Sequence, residues 1–129
     1  MSKISCFILI AHGSKEKKWN SHLKKLLVKL RQEAGQNTIM LAYLSPQKPN
    51  LLDIVKKLNN DSVLFVLPLF IGPGKHISCD IPNEIKVIKK KYKKVKIKLL
   101  PTIGENEGFI SLLANIIKRD ETNCSKKII

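Results

Sequence analysis

Aromatic side chains are scarce in this sequence, at 5% of residues, and among its 24 lysines and arginines only Arg31 and Arg119 are arginine. Proteins that read nucleic acid rely on arginine forks for base edges and on aromatic platforms for stacking. The formal charge of +14 therefore points to solvated lysine faces, or to attraction for a small polyanion, and no nucleic-acid partner is expected. Cysteine is equally sparse. Cys6, Cys79 and Cys124 are odd in number and scattered, which excludes a disulfide framework. Long apolar runs are missing too. Nothing approaches the roughly 20 residues of a membrane span, so no membrane partner is expected. Ile4–Ala11 is too short for a signal peptide and lacks its small-residue cleavage pattern, which implies a cytoplasmic address.

What is present is alternation. The 129 residues are 43% hydrophobic, enough for one packed domain over residues 1–119, followed by a polar tail over 120–129 that has no period. Four strand-like runs, Ile4–Ala11, Thr38–Leu44, Ser62–Phe70 and Val95–Pro101, alternate with four helix-like runs. The first helix is expected after Ser14 as cap, with Trp19, Leu23, Leu26, Leu27 and Leu30 inward and Gly35 at its end. Asn50 is expected to cap the second helix and Asp80 the third, with Pro82 in its first turn. The fourth should start near Asn106 and turn Phe109, Leu112, Leu113, Ile116 and Ile117 inward. Such a chain predicts an α/β three-layer sandwich on a four-stranded parallel sheet, with order 2-1-3-4. Ligands bind such sheets beyond the carboxyl ends of the strands, where strand order reverses.

Two strand exits carry the chemistry. "ILIAHGSKE" (Ile8–Glu16) and "LFIGPGKHI" (Leu69–Ile77) each set a histidine beside glycine, after a buried strand and before a helix. Under the order 2-1-3-4 these exits are neighbours, so His12 and His76 would face each other across the switch-point crevice. Two neutral imidazoles suit a divalent ion of cobalt, nickel, zinc or iron. A structural or surface role for each histidine is the competing reading, and His22, inside the first helix, is given only that. A phosphate cradle at Gly72–Gly74 lacks the G-x-x-x-x-G-K-[ST] pattern.

Taken together, "AHGSKEKKW", "AYLSPQKPNL", "PLFIGPGKHISCDIP" and "PTIGE" resemble the class II tetrapyrrole chelatases, in particular the short form of sirohydrochlorin cobaltochelatase and its ferrochelatase relatives. The resemblance implies a chelatase-like half-domain, an enzyme (a lyase) that inserts Co²⁺, Fe²⁺ or Ni²⁺ into sirohydrochlorin or a related uroporphyrinoid in cobalamin or siroheme biosynthesis. It implies His12 and His76 as metal-binding and catalytic residues, a homodimer, and no organic cofactor, the metal being a substrate. The anionic tetrapyrrole would meet Ser14, Lys15, Leu44, Ser45, Phe70, Gly72, Gly74 and Lys75, with Lys15 and Lys75 attracting its carboxylate arms. In one respect the sequence departs from the pattern. These chelatases often carry a glutamate where this chain has Ser45, and Glu84 or Glu105 would have to compensate. The alternative is a diverged protein that binds metal or tetrapyrrole without catalysis.

Overall fold

The structure, a computed structural model, describes residues 5–35, 38–58 and 62–122, the side chains at 76, 77 and 122 excepted. The elements are β1 (Ser5–Ala11), α1 (Lys17–Ala34), β2 (Ile39–Tyr43), α2 (Leu51–Lys57), β3 (Val63–Pro68), α3 (Ile81–Lys91), β4 (Lys96–Leu99) and α4 (Glu107–Thr122). All strands are parallel in the order β2-β1-β3-β4, as the alternation predicts. Right-handed crossovers then put α2 and α3 on one face of the sheet and α1 on the other, because the chain reverses direction between β1-to-β2 and β2-to-β3.

The face under α2 and α3 is sealed. Register places Ile8 beside Val66 and Met40, and Ile10 beside Pro68 and Ala42, so alternate residues of all strands point the same way. Cys6, Ile8, Ile10, Leu64 and Val66 pack there against Leu51, Ile54 and Val55 of α2 and Ile81 and Ile88 of α3. Burial raises the pKa of the Cys6 thiol and keeps it protonated and unreactive. Asn50 caps α2 as expected: its side chain accepts from the Asp53 N–H at 2.9 Å while the Asp53 carboxylate accepts from the Asn50 N–H at 3.0 Å. Gly35 ends α1 in the left-handed conformation, at φ 63°. β3 stops at Pro68, which has no N–H for the ladder.

Five expectations meet a different outcome. α1 begins at Lys17, because the Ser14 hydroxyl is used three residues earlier to accept from the Glu16 N–H at 3.1 Å. Trp19 and Leu26 of α1 are about half exposed, since that helix runs along the β2 edge. Asp80 is no cap: it has helical φ and ψ and makes no capping bond, because a single π turn over His76–Asp80 runs straight into α3. The apolar face of α4 is exposed. Leu112, Leu113, Ile116 and Ile117 are not inward, because α4 packs mainly on the short 3-10 turn before it, Ile103–Glu105, and not on the sheet. α4 also continues through Thr122, into the segment read as tail. Cys124 falls outside the described residues, and no described helix is long and apolar enough to cross a membrane.

Candidate functional site

β1 ends in a buried ladder and hands the chain to His12 and Gly13 at the switch point. The Ala11 carbonyl accepts from the Leu44 N–H at 3.0 Å, which ties the β1 exit to the β2 exit. Gly13 sits where this junction is tightest: a Cβ there would come within 2.7 Å of the Gln47 side chain and 3.1 Å of Tyr43 Cβ. Only glycine lets the two loops dock so closely. The His12 carbonyl accepts from the Trp19 indole N–H at 2.6 Å, so α1 holds this loop from the other side. His12 Nδ1 lies 3.1 Å from the Gly13 carbonyl. A hydrogen bond to that carbonyl requires the proton on Nδ1, which leaves the metal-binding lone pair on Nε2.

A cleft of about 500 Å³ opens at His12. One wall is the β1 and β2 exits, with His12, Gly13, Leu44, Ser45, Pro46, Gln47 and Asn50; the other is α3, with Asp80, Asn83, Glu84, Val87 and Ile88. These α3 positions stand at i, i+3, i+4, i+7 and i+8, a single helical face. Among the described residues no lysine or arginine lines the cleft, although the chain carries a charge of +14. Glu84 is half-buried on this wall, and loss of hydration pushes its carboxyl pKa up. A hydrogen bond from the Leu51 N–H opposes that shift, and the nearby Asp53 and Asp80 charges add to it.

The β3 exit is anchored by the Leu69 N–H, which donates to the Ile10 carbonyl at 2.8 Å. Gly104, in "PTIGE", donates its N–H to the Phe70 carbonyl at 3.2 Å, and a Cβ on Gly104 would overlap the Ile71 backbone. The β4 exit thereby props the loop that leads to His76. Among the described residues, none beyond the immediate chain neighbours comes within 4 Å of where a Cβ on Gly72 or Gly74 would stand, so open space fronts both. The backbone of His76 begins the π turn, one strand over from His12; its imidazole lies outside the described side chains.

Of the other sequence candidates, Leu44 and Ser45 line the cleft with His12. The Ser45 hydroxyl accepts from the Asn50 side chain at 3.3 Å. Ser14 is folded into its own turn, clasped by the Asn20 amide, which donates to its carbonyl at 2.8 Å. Lys15, Gly72, Gly74 and Lys75 are exposed on the loops beside the cleft and do not line it, and Phe70 packs partly buried against the core. Glu105 is spent on the chain itself, accepting from the Thr102 N–H at 3.1 Å, which leaves Glu84 as the glutamate in the cleft. Asp80 and Asn83 were not singled out as cleft residues from the sequence. Their spacing with Glu84 and Val87 held the signal, but Asp80 reads there as a cap. Among the described residues no three His, Cys, Asp or Glu side chains converge closely enough to hold a metal ion.

Comparison with known proteins places this architecture. A family model described as CbiX matches residues 6–120. The sirohydrochlorin cobaltochelatase of Sulfurisphaera tokodaii is 29% identical over 108 residues, covering 82% of this chain and 85% of that protein. The protein of the same name from Sulfolobus acidocaldarius is 27% identical over 115 residues, covering 86% and 85%. Among solved structures, a putative cobalamin biosynthesis CbiX protein from Marinobacter aquaeolei VT8 superposes with a TM-score of 0.76 at 24% identity, over 92% of this chain and 98% of that one. The sirohydrochlorin chelatase SirB from Bacillus subtilis subspecies spizizenii, solved with cobalt, gives 0.72 at 22% identity, over 90% of this chain and 50% of SirB.

Proposed function

Since the chain belongs to the CbiX family, we propose that it inserts a divalent metal, Co²⁺, Fe²⁺ or Ni²⁺, into sirohydrochlorin or a related uroporphyrinoid on the way to cobalamin or siroheme. The observation that carries this reading is the meeting of two adjacent parallel strand exits, one delivering His12 into a cleft of about 500 Å³ and the other starting the His76 turn. The relatives named sirohydrochlorin cobaltochelatase support the substrate.

Metallation removes two pyrrole N–H protons and moves the ion from protein ligands to four ring nitrogens. His12 and His76 hold the ion as neutral imidazoles, His12 through Nε2. Leu44 and the open backbone at Gly72 and Gly74 give the flat ring a surface to approach. Lys15 and Lys75, exposed on the flanking loops, attract the carboxylate arms from outside the cleft. Ser14, Ser45 and Phe70 flank the same crevice. No organic cofactor takes part. The working unit is a homodimer: the exposed Ile110, Leu113 and Ile117 of α4 give each chain an apolar face that a second copy would cover. Residues 1–119 act as one catalytic domain, in the cytoplasm.

Purified protein should accelerate the absorbance change that marks metallation of sirohydrochlorin by Co²⁺ or Fe²⁺ above the spontaneous rate. His12→Ala and His76→Ala should each abolish that acceleration. No acceleration with Co²⁺, Fe²⁺ or Ni²⁺ would sink the enzymatic reading. A second reading, favoured by the neutral Ser45 in the cleft, is a carrier for metal or tetrapyrrole; it predicts saturable binding without turnover.

A further inference from the structure

The cleft inverts the charge of the molecule around it. In a protein with 24 basic and 10 acidic residues, no lysine or arginine among the described residues lines this hollow, and its α3 wall carries two carboxylates one helical turn apart, Asp80 and Glu84. Such a surface repels the anionic arms of a polycarboxylate ring and favours its neutral, N–H-bearing centre. The arms are then left to the lysines outside, and the ring centre faces α3.

From this placement we propose that Glu84 is the base that takes a pyrrole N–H proton during metallation, an assignment that rests on the chelatase reading above. The balance is simple. The ring loses two protons as the divalent ion enters, the Glu84 carboxylate accepts one and passes it to solvent through the open side of the cleft, and the other leaves directly to water. His12 is unsuited to this task while its lone pair holds the ion. Glu84 has the surroundings a base needs. It is half-buried, it lines the same cleft as His12, and partial dehydration raises its proton affinity above that of an ordinary glutamate. The ionisable groups around it among the described residues are His12 on the β1 exit, Asp80 at the end of the π turn that leads into α3, and Asp53 on α2, whose carboxylate lies 3.9 Å from Lys48 Nζ.

The test is steady-state metallation of sirohydrochlorin by Co²⁺ with wild-type protein and Glu84→Gln, which keeps the shape and the acceptor for the Leu51 N–H. Removing a general base should lower kcat by about 100-fold, leave the KM for Co²⁺ within about twofold, and flatten the acid limb of the wild-type pH profile. Glu84→Asp should keep that limb at a reduced rate. A Glu84→Gln protein of wild-type Tm or higher that turns over at the wild-type rate, or keeps the acid limb, overturns the role of Glu84 and leaves the chelatase reading intact. Wild-type protein that fails to accelerate metallation at all overturns both.

Discussion

The two faces of the sheet are built to different standards. Under α2 and α3, Ile8, Ile10, Leu64 and Val66 are essentially inaccessible to water and meet Leu51, Ile81 and Ile88 across the layer. On the other face Phe7 and Phe65 stack at 5.1 Å between centroids yet stay partly exposed, and α1 contributes no fully buried residue; α4, packed on the 3-10 turn before it, leaves its isoleucines in solvent. The sealed face supplies the rigidity that holds the α3 wall of the cleft in place. The exposed apolar residues of α4 would be a liability in a monomer and form the interface in the proposed dimer.

The largest expected effect separates the faces by stability. Ile10→Ala on the sealed side should cost about 3–4 kcal/mol in denaturant unfolding, because the cavity cannot collapse between sheet and helices. Phe7→Ala on the open side should cost less than about 2 kcal/mol despite removing more atoms, since solvent already reaches part of the ring. Equal losses would erase the distinction. Next comes assembly. Ile116→Lys with Ile117→Lys should convert a dimer to a monomer in sedimentation equilibrium while changing monomer stability by no more than about 0.5 kcal/mol, as expected of exposed positions. A double variant that stays dimeric would move the interface off α4.

The smallest effect lies in the cleft and depends on pH. Burial raises the Glu84 pKa, so the folded state holds this proton more tightly than the unfolded chain does. The stability it contributes is complete below the ordinary glutamate range and is lost as pH rises through the raised folded value. Glu84→Gln, which cannot ionise, should therefore melt slightly higher than wild type at neutral pH, and the two curves should converge as pH falls towards the ordinary carboxylate range. A Tm difference that grows on acidification would reverse the assigned sign.

These contrasts also show what the sequence could disclose. The strand order and the neighbouring histidine loops were legible, because continuous apolar runs such as "CFILIA" and "VLFVLP" mark strands covered on both sides, and the crossover rule leaves few arrangements. The caps at Asn50 and Gly35 were legible for the same local reason. α4 was not. Its periodicity states that one face is apolar but says nothing about what covers it, so a helix facing outward reads the same as one facing the sheet. Asp80 misled because a cap and a mid-helix carboxylate look alike until the π turn over His76–Asp80 is seen. Gly104 carries no local signal for its role, since the backbone it makes room for, at Ile71, comes from a different strand exit.

The proposed chelatase site rests on a single ion shared by the two histidine loops. Titration of the protein with Co²⁺ alone, followed by its visible d–d absorbance, addresses this without any tetrapyrrole. One ion per chain is expected, with affinity reduced at least about tenfold in both His12→Ala and His76→Ala, since each variant removes one imidazole ligand of the same ion. Wild-type affinity in either variant would mean that the two strand exits do not share a metal.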